Sequence, residues 1–302
     1  MYDNRIVEKL MYNIAEKEPF QRKKIESHIQ AMSQEDKEKL IRRIRYFLSQ
    51  GESIDSLSDA YIAFCKYFVE ERIHFVKTGT YRYTSLKETS TLYENYDYMH
   101  NYMIGLCMAI YMWQIQRKNM HFFVEACKED SHTSGRYLEI GPGHGEYFVA
   151  AMENTYFDEY IGIDVSASSV KMSKTFVEYA ITDKKKYQIL HKNFFDYSPR
   201  EKFQGIVMGE VLEHVENPLQ FLKKIYELAD EDALIFLSTA INSPYPDHIY
   251  HFHNMNEIYE LFRQSKLHVK KEICASAEGI SIEKAINKKY DIVVGFVLEK
   301  SK

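Results

Sequence analysis

The stretch that decides the predicted fold is residues 136–145, RYLEIGPGHG. Residues 137–140 have the pattern of a short buried strand that contains an acid, and residues 141–145 form a glycine-rich turn. A helix is predicted to begin at Glu146. In a doubly wound sheet, strand, glycine turn and helix bring backbone N–H groups close to a nucleotide-like ligand. The sequence therefore predicts a ligand site at the end of this strand.

The spacing of the glycines distinguishes between two classes of ligand. A dinucleotide site has the pattern G-x-G-x-x-G, but here Gly145 comes one position early. The next residue is Glu146, an acid that would face a pyrophosphate, which argues against NAD. Glu139 instead suits a ligand with a positively charged ammonium group. S-adenosylmethionine has that group and no phosphate, so we predict this cofactor, bound by Glu139 together with Gly141, Gly143 and Gly145.

This pattern, [DE]-x-G-x-G-x-G after a strand, resembles motif I of the class I S-adenosylmethionine-dependent methyltransferases. The resemblance implies an α/β fold with a doubly wound, seven-stranded, mostly parallel sheet of the Rossmann-like type. The chain after residue 130 alternates accordingly between strand and helix patterns. Strands are predicted at 137–140, 160–165, 187–191, 205–208, 233–237, 269–275 and 292–298. The last two have no long crossover helix between them, so the final strand is predicted to run antiparallel.

Residues 1–130 have helical periodicity and carry no motif that we can assign. Their last helix is predicted over about 98–127, and the polar residues 128–135 indicate a domain boundary. We therefore predict a helical N-terminal domain, 1–130, and a cofactor-binding domain, 131–302. The first is rich in tyrosine, which suits a lid that excludes water and orients a polar acceptor. The alternative is that these tyrosines form the domain's own core or a dimer interface.

Further cofactor contacts are predicted at the ends of the second and third strands. Asp164 follows Gly145 by 19 residues, a spacing that allows a carboxylate to accept both ribose hydroxyls of an adenosine. Val165 comes next. The alternative is that Asp164 only caps the following helix. The methyltransferase resemblance implies that Asn193 and Phe194 lie at the adenine edge, although many family members have Asp where this chain has Asn193.

After the fourth strand, residues 209–218 read GEVLEHVENP. They resemble the E-x-L-E-H-x-x-x-P segment of class I small-molecule methyltransferases, ubiquinone-pathway O-methyltransferases among them. The resemblance implies that Glu210 and His214 lie in the ligand crevice. With a further histidine from 247–253, E-x-x-E-H also resembles the metal site of the small-RNA 2′-O-methyltransferases. Alternatively, Glu213 and His214 hold the next helix and pack the crevice wall.

Charge argues against the RNA alternative. The net charge is −5, and residues 1–130 contain 19 basic and 19 acidic residues. Neither residues 1–130 nor residues 131–302 have the basic excess typical of a protein that binds phosphates along a nucleic acid. Many metal-free family members share E-x-L-E-H. We therefore predict no metal requirement and no nucleic-acid partner.

Histidines are the candidate catalytic groups. Methyl transfer is an in-line displacement that needs an aligned nucleophile and removal of a proton from a hydroxyl or ammonium acceptor. Histidine suits this role because its ordinary pKa is about 6.5. His248 and His251, in the loop after the fifth strand, and His214 are therefore candidate bases. Each could equally be a surface or core histidine.

The prediction as a whole is a cytoplasmic S-adenosylmethionine-dependent methyltransferase that acts on O or N of a small molecule. The four cysteines form no C-x-x-C pair, no segment reaches the ~18 apolar residues of a membrane span, and the N-terminus lacks the apolar stretch of a signal peptide. A homodimer is left open. Three alternatives remain: intramolecular cyclisation with the same cofactor, a cofactor-binding regulator without catalysis, and a metal-assisted RNA 2′-O-methyltransferase.

Overall fold

The computed structural model describes residues 5–277 and 279–301. Within the described residues, seven α-helices lie before the first strand. Three of them begin with capping boxes, at Ser33, Ser53 and Ser85, in which the serine side chain accepts from the backbone N–H of the third helical residue. The seven helices are α1 (Arg5–Lys17), α2 (Arg22–Gln30), α3 (Gln34–Ser49), α4 (Ile54–Thr78), α5 (Leu86–Glu94), α6 (Tyr96–Met112) and α7 (Gln114–Glu129).

A seven-stranded sheet follows, in the order β3-β2-β1-β4-β5-β7-β6. Strands β1 to β5 pair in parallel, and β7 runs antiparallel to β5 and β6, so the predicted fold class is confirmed. The strands are β1 (Arg136–Ile140), β2 (Glu159–Asp164), β3 (Lys186–His191), β4 (Phe203–Gly209), β5 (Ala229–Ile241), β6 (Leu267–Ser276) and β7 (Ile292–Lys300). The helices between them are α8 (Glu146–Asn154), α9 (Ala167–Ala180), α10 (Pro218–Leu228), α11 (Met255–Gln264) and α12 (Ile282–Asn287).

The single helix predicted over 98–127 is wrong, because the chain breaks at Trp113 into α6 and α7. Trp113 is extended, with φ −92° and ψ 123°. Its indole N–H donates to the Tyr61 hydroxyl at 2.9 Å, and its ring packs on Phe64. The buried Arg117 guanidinium donates to two carbonyls at the end of α6. These long-range contacts interrupt a segment that is helical by composition.

Helices before β1 and the sheet share one hydrophobic core. The largest cluster of buried side chains includes Leu40 of α3, Met108 of α6, Phe148 of α8 and Tyr160 of β2. Helix α7 packs on the sheet, where Phe123 meets Phe236 with ring centroids 4.8 Å apart. The division into two domains at residue 130 stays a prediction. None of the helices in the part of the chain that the structure describes is long and apolar enough to cross a membrane.

Candidate active site

A cavity of about 810 Å³ lies between helices α5 and α6 and the carboxyl edge of the parallel strands. Its floor is formed by the loops that follow β1, β2, β3 and β4, where the topology of a doubly wound sheet places ligands. Its roof includes Tyr93 of α5 together with Tyr102 and Met103 of α6. The predicted ligand crevice is therefore covered by the helices that precede the sheet.

The glycine turn after β1 adopts a conformation that requires glycine at two positions. Gly141 has φ +69°, and a Cβ there would lie 2.7 Å from Val211 Cγ2. Gly145 has φ +83°, and a Cβ there would lie 3.1 Å from Ser173 Cα. Gly141 and Gly143 line the cavity, whereas Gly145 serves as the N-cap residue of α8. The turn thus brings bare backbone to the cavity and α8 close to α9.

Glu139 is buried near the carboxyl end of β1, where its carboxylate accepts from the Tyr137 hydroxyl. Burial raises its pKa to about 8. Glu139 is not among the described residues that line the cavity. Its direct contact with the cofactor ammonium group stays a prediction, without support from this geometry.

Glu146 does not face the ligand site, so the argument against NAD from its position is wrong. Its carboxylate pairs with the Arg43 guanidinium and accepts from the Tyr111 hydroxyl, both in helices before the sheet. Arg43 also donates to the His144 carbonyl at 2.9 Å. Burial alone would raise the pKa of Glu146, but Arg43 holds it below its ordinary value. The first turn of α8 is thereby tied to α3.

Asp164 lies at the end of β2 and lines the cavity. Its carboxylate accepts from the backbone N–H of Ser166 at 2.8 Å and from that of Gly143 at 3.1 Å. Burial raises its pKa above the ordinary value. One carboxylate therefore joins the turns after β1 and β2. Val165 beside it is 65% exposed and also lines the cavity.

Asn193 and Phe194 line the cavity at the end of β3. The Asn193 side-chain oxygen accepts from the Phe195 N–H at 2.8 Å, which begins a 3-10 turn at Phe194–Asp196. Phe194 is buried, and its carbonyl accepts from Lys224 at 2.7 Å. The Asn193 side chain, predicted to lie at the adenine edge, thus holds this loop in place through its oxygen.

The turn after β4 carries two acids, the half-buried Glu210 and the fully buried Glu213. Glu210 lines the cavity with φ +53°, and burial raises its pKa to about 7. Glu213, in the 3-10 turn Leu212–His214, accepts from the Thr239 hydroxyl at 2.7 Å. Burial raises its pKa well above the ordinary value, and the nearby Glu210 raises it further. One carboxylate oxygen of each acid is buried without a hydrogen-bond partner among the described residues.

His214 and His248 line the cavity with perpendicular rings whose centroids are 4.6 Å apart. Nδ1 of His214 lies 3.1 Å from the Asp247 carbonyl, and Nδ1 of His248 lies 2.7 Å from the Ser243 carbonyl. Because a carbonyl only accepts, each Nδ1 carries the proton and each Nε2 is the bare nitrogen. Burial, and then His214, lowers the pKa of His248 to about 3.

His251 is not among the described residues that line the cavity. Its ring stacks on Tyr81 with centroids 4.6 Å apart, and its Nε2 lies 2.9 Å from the Asn242 side-chain oxygen. Burial, and then His253, lowers its pKa to about 4. This position gives His251 a packing role and no access to an acceptor in the cavity.

Asp247 is a buried cavity residue that the sequence reasoning did not single out. It accepts from the Tyr102 hydroxyl at 3.1 Å and the Tyr93 hydroxyl at 3.3 Å, and its carboxylate lies 3.4 Å from Nδ1 of His214. The acid lies about 150 residues from its tyrosine partners in the chain. In the sequence, the one sign that Asp247 belongs to the site was its position next to His248, a candidate base in the loop after β5.

The seven-stranded sheet with a glycine turn at the end of β1 defines the class: this is the fold of class I S-adenosylmethionine-dependent methyltransferases. Residues 111–271, more than half of the chain, match a family model described as "Methyltransferase domain", and the chain belongs to that family. It is an S-adenosylmethionine-dependent methyltransferase, and the predicted cofactor is confirmed.

The chain is also similar to solved structures. The mitomycin 7-O-methyltransferase MmcR is 12% identical, with a TM-score of 0.54 over 82% of this chain and 72% of that one. The mycolic acid cyclopropane synthase CmaA1, complexed with SAH and CTAB, is 14% identical, with a TM-score of 0.49 over 61% and 85%. At 12% identity the likeness to MmcR shows the fold alone. A search of curated proteins gives no match.

Proposed function

We propose that this methyltransferase transfers the methyl group to an oxygen or nitrogen atom of a small molecule held beneath α5 and α6. The observation that carries the proposal is the continuity of one cavity from the glycine turn to the tyrosine-rich roof. Its volume of about 810 Å³ is within the range of small-molecule sites, roughly 300–1,000 Å³. Cofactor and acceptor would thus share one covered space.

The cofactor occupies the part of the cavity formed by the loops after β1 to β4. In this proposal Gly141 and Gly143 allow its close approach, and Asp164 accepts the ribose hydroxyls. The remaining proposed contacts are Val165, Asn193, Phe194 and Glu210, which all line this part. Gly145 contributes by shaping the turn.

The acceptor occupies the part under the roof. Tyr93, Tyr102, Met103 and Trp113 line it from the helices before β1, and Tyr245 lines it from the loop after β5. Among all described lining residues Lys192 is the one lysine, and arginine is absent. An apolar wall with hydroxyl groups and few cations suits a neutral or cationic small molecule better than a nucleic acid.

His214 is the leading candidate for the group that removes a proton from the acceptor. Its Nδ1–H donates to the Asp247 carbonyl, which orients the ring and leaves Nε2 as the acceptor of a proton. His248 has the same tautomer, but its buried site disfavours the charged form. The cofactor supplies an electrophilic methyl group when bound, and helices α5 and α6 cover one side of the cavity that holds it.

The function is tested by incubating the enzyme with S-adenosylmethionine and fractionated small-molecule extracts. We expect an acceptor to gain one methyl group while S-adenosylhomocysteine forms in equal amount. Methylthioadenosine in place of S-adenosylhomocysteine would show cyclisation or another transfer from the cofactor. Cofactor binding without either product, across extracts and isolated RNA, would contradict the proposal and favour a regulator.

A lid role of the N-terminal helices predicts that Tyr102→Phe weakens acceptor binding and leaves cofactor binding unchanged. Because these helices share a core with the sheet, a point variant is a cleaner test than truncation. Tyr102→Phe removes the hydrogen bond of about 1.5–3 kcal/mol that holds the Asp247 carboxylate beneath the roof, and so displaces a polar group of the proposed acceptor site. We expect the KM for the acceptor to rise about tenfold or more, while S-adenosylhomocysteine affinity measured by calorimetry is unchanged.

The matched control for this prediction is Tyr12→Phe, since Tyr12 is 63% exposed on α1. An unchanged KM in Tyr102→Phe, or an equal loss of cofactor affinity, would contradict a role of Tyr102 in the acceptor site.

A further inference from the structure

We propose that Glu213, His214 and His248 form a binding site for one divalent transition-metal ion at the wall of the cavity. One potential ligand atom from each residue lies within 4.8 Å of the other two. The proposal concerns the ion alone and does not depend on which acceptor is methylated. It replaces the expectation of no metal, which rested on the lack of a basic surface and on metal-free family members that share E-x-L-E-H, and not on the local charge of these residues.

The first observation is an uncompensated buried carboxylate. Glu213 is fully buried, and its Oε1 has no hydrogen-bond partner among the described residues. The charged groups that most affect it are two further acids, Glu210 and Asp247. A buried carboxylate without a counter-ion is costly, so this site needs either a bound cation or a bound proton.

The second observation is the orientation of the two imidazoles. Both rings donate from Nδ1 to a backbone carbonyl, which leaves the two Nε2 atoms deprotonated. No described residue hydrogen-bonds to either Nε2. An imidazole whose second nitrogen is held by a carbonyl is the usual state of a metal-binding histidine, because that bond fixes the tautomer and the ring orientation.

The third observation is that the backbone holds the ligands together. The Glu213 carbonyl accepts from the N–H groups of Ile249 and Tyr250, both at 2.9 Å. These bonds join the 3-10 turn after β4 to the loop after β5, so that His248 meets residues 34 and 35 positions earlier. The Thr239 hydroxyl orients the Glu213 carboxylate. The cluster is therefore preformed rather than assembled by a mobile segment.

The ligand types select the ion. Two imidazoles and one carboxylate suit Zn²⁺, Co²⁺ or Mn²⁺, whereas Mg²⁺ and Ca²⁺ prefer oxygen ligands. Three protein ligands leave an open coordination position, which is the composition of a catalytic rather than a structural site. His214 and His248 line the cavity, so the open position would face it. An ion there would occupy Nε2 of His214, so with the ion bound the lowered pKa of a coordinated acceptor oxygen would take the place of proton removal by His214.

The test is a titration of the chelator-treated full chain with Co²⁺, followed by calorimetry and by visible absorption of the ion. We expect one ion per chain and a melting temperature that rises with Co²⁺ concentration. Glu213→Gln keeps the size of the side chain and its bond to Thr239, and His248→Ala removes one imidazole. Each is expected to weaken Co²⁺ binding at least tenfold.

His253→Ala is the matched control, because His253 is an exposed histidine of the same loop region outside the cluster. It should bind Co²⁺ as the wild type does. Absence of saturable binding to the folded wild type would overturn the proposal, and this result requires no variant. Tighter binding of Mg²⁺ than of Co²⁺, or equal binding by Glu213→Gln and His248→Ala, would overturn it as well.

Discussion

Arg43→Met is expected to lower the free energy of unfolding by about 3–5 kcal/mol, the usual cost of removing one partner from a buried ion pair. Arg43 is fully buried in α3 and pairs with Glu146 at the start of α8. The variant keeps an apolar side chain of similar length but leaves the Glu146 carboxylate buried without its cation. Denaturant unfolding measures the difference.

Two comparisons separate this effect from a general loss of packing. Arg22 pairs with Glu16 at 3.0 Å where both side chains are about half exposed, so Arg22→Met should cost roughly 1 kcal/mol or less. The double variant Arg43→Met with Glu146→Leu leaves no unpaired charge, and we expect it to be more stable than Arg43→Met alone. A double variant at least as unstable as the single one would contradict the charge argument.

Asp164→Ala is expected to weaken the binding of S-adenosylhomocysteine about 10- to 150-fold. This range corresponds to about 1.5–3 kcal/mol for lost hydrogen bonds to a charged group. In the proposed site the Asp164 carboxylate accepts from the ribose hydroxyls. In the structure it accepts from the backbone N–H of Gly143 in the glycine turn. Calorimetry measures the affinity directly, without an acceptor.

Asp183→Ala is the control for this prediction, because Asp183 is an exposed acid just beyond α9. Asp164→Asn keeps the size of the side chain, and it should also bind weakly, since an amide has one accepting oxygen where the carboxylate has two. Unchanged affinity in both Asp164 variants, with melting temperatures close to the wild type, would remove Asp164 from the cofactor site.

Local sequence patterns predicted the elements that position the cofactor. The strand before Gly141, the turn and the helix after it lie where predicted, because glycines in a left-handed conformation and a short apolar run are properties of neighbouring residues. The position of Asp164 at the end of β2 likewise followed from the short apolar run before it. The antiparallel direction of β7 followed from the short connection before it.

Boundaries that depend on long-range contacts were predicted less well. Strand β5 extends over Ala229–Ile241, well beyond the predicted 233–237, because its ends pair with β4 and β7. The break at Trp113 depends on Tyr61, a residue in another helix. Hydrophobic periodicity is read over short stretches of neighbouring residues, and these partners lie outside such stretches.

The sequence by itself determined the sheet, the glycine turn and the family to which they belong. The tertiary structure decided where the polar side chains point. Glu146 turns to Arg43 instead of the ligand, and Asp247 meets the roof tyrosines across the cavity. Of the two loop histidines, His248 enters the cavity and His251 packs against Tyr81. The physical reason is that a buried polar group takes whichever partner the fold brings within hydrogen-bond distance, and most of these partners lie far away in the chain.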